Sequence, residues 1–209
     1  MRWLSRFRVE DHLAEPAAWT AIWLTGQSSM RHSRLSPAQA TLLEQVALIG
    51  FHPLRAGLPF NRAAMTVEYR REPLGPASVR NGAQYLAATL GRRFGREVAT
   101  HLQPVLDLTS ERLLVLCGSA GAQLLSSALP HLVRPPELGV WVVGLGPVGR
   151  LEAPDPRWRV HVVQGDRDRV SRWGYRGPVD LVVPGGHLDY AAHPLVRAEV
   201  LRVAGLVDR

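Results

Sequence analysis

Three residue types that together can carry out acyl transfer stand at points where the chain changes character. Ser119 sits in LLVLCGSAGA (113–122), where an apolar run ending in Cys117 meets Gly-Ser-Ala-Gly and the helix-like stretch AQLLSSALPHL follows at once. Small neighbours around a serine are what a sharp strand-to-helix turn needs, because bulky side chains would clash with both elements. Asp166 and Asp168 lie in QGDRD, after the apolar stretch 158–164, and His187 lies in PGGHLDY, after 179–183. A serine hydroxyl is a weak nucleophile until an imidazole takes its proton, and the imidazole needs a carboxylate to fix its tautomer and stabilise its charged form. Each residue also has a structural reading: a packing turn, one loop histidine of eight, an aspartate beside arginine. Their joint position past three strands favours the chemical one.

The elements that must position them follow from the pattern. TAIWLT (20–25), 112–117, 139–145, 158–164 and 179–183 are short apolar runs that read as buried strands. FHPLRAGLPF carries two prolines and is at best an edge strand or an extended loop. Ser36 is an N-cap with Pro37 at the first helical position, and Ala40, Leu43, Val46, Ala47 and Ile49 give the helix a buried face ending at Gly50. A second helix spans 78–94, with Val79, Ala83, Leu86, Ala87 and Leu90 at helical spacing; a third covers 96–108 until Pro104 disturbs it; PLVRAEVLRVAGL is the last. Strand and helix alternate, so the expected fold is α/β: a three-layer sandwich with a mainly parallel sheet of about six strands and helices on both faces. In such a sheet, ligands bind where the carboxyl ends of the strands meet the following loops.

The order Ser, Asp, His, each past a strand, resembles that of the α/β-hydrolase superfamily of serine hydrolases. CGSAG resembles the nucleophile elbow, with Cys117 where glycine is commonest, and GDRD resembles the acid turn, whose Gly-x-x-Asp spacing selects Asp168 over Asp166. GGHLDY resembles the histidine loop, and LTGQSS the His-Gly-x loop that supplies half of the oxyanion hole, with Thr25 replacing the histidine. The resemblance covers about residues 20 to 209. It implies Ser119 as nucleophile, His187 as base and Asp168 as its carboxylate, with the N–H groups of Ala120 and Gln27 as oxyanion donors. Gly26, Ser28 and Arg31 of the first loop are then candidates for touching substrate, and Asp189 and Tyr190 for docking the histidine loop or touching substrate, the first being favoured. The loop after 139–145 is too short for the helical lid the family often inserts there. The site is therefore expected to be shallow, or covered by a mobile flap from residues 55–78. The family's two earliest strands have only SRFRVEDHL as a candidate.

Composition sets the remaining bounds. A chain of 209 residues with 46% hydrophobic content fits one domain spanning 1–209. No apolar run reaches the roughly 18 to 20 residues of a membrane span, and the first residues lack a secretory h-region, so a cytoplasmic protein is expected. The single cysteine, Cys117, can make no internal disulfide and cannot alone build a metal site. It reads as a buried apolar residue. All 25 basic residues are arginine, scattered along the chain; this makes the net charge of +7 look like composition, and no nucleic-acid partner is expected. The absence of lysine excludes a P-loop ATPase, a pyridoxal phosphate Schiff base and any lysine base. Neither metal nor cofactor is expected. The partner is a small acyl substrate, an ester or thioester. Two rivals remain: a hydrolase-like protein that binds without turnover, and a basic surface for nucleic acid or anionic lipid, whose binding would fall steeply with salt.

Overall fold

A computed structural model describes residues 4–26, 28–29, 31–70 and 72–205. The strands are β1 (Ala17–Thr25), β2 (His52–Pro53), β3 (Thr109–Gly118), β4 (Gly139–Leu145), β5 (Trp158–Gly165) and β6 (Leu181–Val183). They form one open sheet in the order β2-β1-β3-β4-β5-β6, and every neighbouring pair is parallel. The central strands are apolar on both faces because both are covered. Ile22, Leu24, Val115, Val142 and Val162 enter one core cluster, and Ala21, Trp23, Leu114, Leu116, Val143 and Val163 enter the other. Alternate residues point to opposite faces, so a strand buried twice must be apolar throughout.

Two helices complete one core and three the other. Helices α1 (Pro37–Ala47) and α6 (Pro194–Gly205) cover the face of Trp23 and Leu116; α2 (Leu74–Leu90), α3 (Arg92–Asp107) and α4 (Gly121–Ala128) cover the face of Leu24 and Val115. A short α5 (Arg169–Gly174) follows β5. From β1 the chain crosses by way of α1 to β2 at the edge, then returns by α2 and α3 to β3 on the other side of β1. The connections leaving β1 and β3 therefore diverge across the sheet, on opposite faces, as right-handed crossovers require. Between the carboxyl ends of β1 and β3 they leave the crevice in which doubly wound sheets bind ligands.

The details both match and correct the sequence expectations. Ser36 caps α1 through a full capping box: its Oγ accepts from Gln39 N–H at 3.3 Å, and Gln39 Oε1 accepts from Ser36 N–H at 2.9 Å. The buried face of α1 is Leu42, Leu43 and Val46, whereas Ile49 lies beyond the helix in the turn to Gly50 and is exposed. The helix expected over 78–94 is α2, which starts earlier and stops at Gly91. Its apolar stripe is not its buried face. Val79, Leu86 and Leu90 are 73%, 57% and 81% exposed, while Ala77, Gln84 and Ala88 are buried. Small side chains let α2 approach its neighbours, and small side chains leave little trace in an apolar period.

Pro104 is carried inside α3. It forgoes one helical hydrogen bond, a loss of about 3 kcal/mol in an isolated helix; Val98, Ala99, Leu102, Val105 and Leu106 bury the helix on both sides of it. The segment 4–13, which includes SRFRVEDHL, holds 3₁₀ turns at Leu4–Arg6 and Val9–Asp11 and no strand. Two histidines latch it down, His101 Nε2 donating to Leu4 O at 3.1 Å and His12 Nε2 to His101 O at 3.0 Å. Residues 55–70 hold a 3₁₀ turn, Arg62–Met65, anchored to the loop after β1. Arg34 donates to Met65 O and Val67 O at 2.6 and 2.8 Å, and Arg70 N–H donates to His32 Nε2 at 3.3 Å.

Candidate active site

The carboxyl end of β3 makes a turn that only small residues permit. Ser119 takes a φ of 50°, a left-handed conformation costly for a residue with a Cβ. A Cβ at Gly118 would lie 2.9 Å from Thr25 Cγ2, and one at Gly121 would overlap the Leu24 carbonyl oxygen. The turn is fixed through the backbone: Ser119 O accepts from Ala122 N–H at 3.2 Å and from Val148 N–H at 3.0 Å. The strand thus runs directly into α4 with the Ser119 side chain standing over the sheet edge.

Two loops from further strand ends meet it there. Ser119 Oγ lies 2.8 Å from His187 Nε2, and His187 Nδ1 lies 2.9 and 3.0 Å from the two carboxylate oxygens of Asp168. An ionised carboxylate only accepts, so the proton of the neutral ring sits on Nδ1 and leaves Nε2 free to accept from Ser119. Asp168 also caps α5, its Oδ1 accepting from Ser171 N–H at 2.9 Å. Burial raises the Asp168 carboxyl, but donations from His187, Ser171 N–H and Tyr190 outweigh it, and the group ends below its ordinary value. Asp166 has a different set of partners. Its Oδ1 accepts from Gly185 N–H at 2.9 Å and lies 3.6 Å from Arg167 Nε, at the protein surface.

The loop after β1 lies across the crevice. Pairing of Thr25 with Gly118 sets Gly26 beside the serine turn, and a Cβ at Gly26 would stand 3.2 Å from Ala120 Cβ. Ala120 is the N-cap of α4, and no backbone carbonyl of the described residues accepts from its N–H. Gln27, the other expected donor, lies outside the described residues. Ser28 is held from α2: its carbonyl accepts from Arg80 Nη1 at 2.8 Å and its Oγ from Asn81 Nδ2 at 3.5 Å. Arg31 is exposed, with its N–H donating to Ser29 Oγ at 3.2 Å.

Four participants escaped the sequence reading in the parts they play. Arg80 and Asn81 sit inside a helix with no motif around them, and Ser171 is one of many serines. Tyr190 had a signal, three positions after His187, but not its partner: its hydroxyl donates to Asp168 Oδ2 at 2.6 Å. Asp189 closes a turn within the histidine loop, Oδ2 accepting from Gly186 N–H at 2.8 Å. Cys117 points into the core, where burial pushes its thiol far above the ordinary value. Among the described residues, no group of three or more His, Cys, Asp or Glu is placed to hold a metal ion, and no helix is long and apolar enough to cross a membrane.

No family model and no curated protein matches this chain. Among solved structures it is similar to the crystal structure of TT1662 from Thermus thermophilus, with 18% identity, 90% of this chain and 89% of that chain covered, and a TM-score of 0.47.

Proposed function

We propose that this chain is a serine hydrolase of the α/β-hydrolase type, one domain that cleaves a small carboxylic ester or thioester without a cofactor. The observation that carries the reading is the continuous relay from Ser119 Oγ through both ring nitrogens of His187 to Asp168, anchored on a left-handed serine at a strand end. The order of events follows from its polarity. His187 Nε2 takes the Ser119 proton as Oγ attacks the acyl carbon, and Asp168 balances the charge that appears on the ring. The imidazolium then gives that proton to the leaving alcohol or thiol, whose bond to the acyl carbon breaks. Water, deprotonated by the same nitrogen, then attacks the acyl carbon; the bond to Ser119 Oγ breaks, the acid leaves, and the imidazolium returns its proton to Oγ.

During both steps the carbonyl oxygen bears negative charge. In this reading the N–H groups of Ala120 and Gln27 are the donors to it, each worth roughly 3 to 4 kcal/mol of barrier in comparable sites. Gly26 and Ser28 shape the β1 side of the crevice, and Arg31 stands at its mouth for an anionic substrate group. The loop between β4 and β5 is too short to form a lid, so short acyl groups are favoured over long ones, whose methylenes each need about 0.8 kcal/mol worth of apolar cover. The test is a p-nitrophenyl ester series from acetate to palmitate, run on the wild type and on Ser119→Ala. The proposal expects hydrolysis of the short esters that Ser119→Ala loses; turnover that survives the substitution, or no turnover of any ester, counts against it.

A further inference from the structure

Asp168 has a donor that the relay does not account for. The Tyr190 hydroxyl accepts from Gly165 N–H at 2.7 Å and lies 2.6 Å from Asp168 Oδ2. A phenol has one proton, and the amide of Gly165 can only donate, so that proton has one place to go: the carboxylate. The chain of donation therefore has a fixed direction, from Gly165 N–H to Tyr190 O–H to Asp168 to the His187 ring. The fold is shaped to admit the phenol. Tyr190 is buried across the ends of β4 and β5, and a Cβ at Gly146, where φ is 55°, would overlap its ring.

Resting on the function proposed above, we infer that Tyr190 is a positioning residue of this site: its hydroxyl holds the Asp168 carboxylate ionised and turned toward His187, and so sets the pH at which the site becomes competent. Asp168 Oδ1 is engaged by Ser171 N–H and Oδ2 by Tyr190, which leaves the edge facing His187 as the one the ring shares. Burial and the neighbouring Asp168 push the phenol up, so it stays a neutral donor through the working range. The charged groups around the pair are few. Asp168 and Asp189 act on the phenol, and His187 acts on Asp168. Asp166 is turned to Gly185 and Arg167, His193 Nδ1 accepts from Leu195 N–H, and Arg197 donates to Ala191 O.

Removing the phenol proton leaves the negative charge on Asp168 less dispersed. The Asp168–His187 pair then binds its proton more tightly, and the neutral imidazole that accepts from Ser119 appears only at higher pH. The experiment measures the rate of fluorophosphonate labelling against pH for the wild type and Tyr190→Phe, together with an NMR titration of the His187 ring, which needs no catalysis. The expected result is a roughly tenfold lower plateau, with the acid limb and the ring titration both moved up by about one pH unit. Placing 3-fluorotyrosine at position 190, a stronger donor of nearly the same size, is expected to move both midpoints down; this arm stands if Tyr190→Phe does not fold. Midpoints that stay in place while the plateau falls would overturn the inference, reducing Tyr190 to a packing residue. Ser119→Ala separates this from failure of the parent reading: labelling that persists there refutes the relay, whereas the ring titration still decides the role of Tyr190.

Discussion

Gly121 lies so close to the Leu24 carbonyl oxygen that no side chain fits between them. This contact lets α4 begin two residues after Ser119, packed against the end of β1. Gly121→Ala is expected to force the two elements apart, with a stability loss of about 1 to 3 kcal/mol and a fall in esterase rate of at least tenfold in the protein that remains folded. Urea denaturation and a rate per folded molecule check both parts.

Asp168 and Asp166 are two residues apart and differ completely in surroundings. Asp168→Asn would put an amide where His187 Nδ1–H needs an acceptor, favouring the wrong tautomer, and is expected to lower the rate by about 10⁴-fold, as the corresponding change does in a serine protease triad. Asp166→Asn is expected to leave the rate within about threefold. Steady-state kinetics on the two variants check the contrast.

The lowered Asp168 carboxyl has a consequence for stability. A group depressed in the folded state stabilises the fold above its unfolded value, near 3.9, and that contribution is lost as pH falls through the folded value. The stability difference between wild type and Asp168→Asn is therefore expected to be larger at pH 6 than at pH 3. Urea midpoints at the two pH values test the sign.

Much of this was legible because each chemical residue lies just beyond an apolar run. CGSAG, GDRD and GGHLDY are marked by strand ends, and a strand covered on both faces announces itself by unbroken Val, Leu and Trp. What sequence hid was whatever depends on a distant partner or on small side chains. The hydroxyl of Tyr190 meets Asp168 across 22 positions. Helix α2 packs through Ala77 and Ala88, so its more conspicuous Val79, Leu86 and Leu90 pointed to the wrong face. Pro104 looked like a helix end because local rules cannot see the core that holds α3 together.

The exposed side of α2 and the buried side of α3 differ in what a substitution costs. Leu86→Gln and Leu90→Gln, on the exposed side of α2, are expected to change stability by no more than about 0.5 kcal/mol. Leu102→Ala, at 1% exposure on α3, is expected to cost about 2 to 5 kcal/mol. Thermal or urea unfolding of the three variants separates the two faces.

A fluorophosphonate reports directly on whether Ser119 is the nucleophile, activated by His187, that we propose. The purified protein is treated with a fluorophosphonate, digested, and the adduct located by mass spectrometry. One phosphonyl group on the peptide containing Ser119, absent in Ser119→Ala and strongly slowed in His187→Ala, is the expected result. An adduct on another residue, or equal labelling of the wild type and Ser119→Ala, would contradict it.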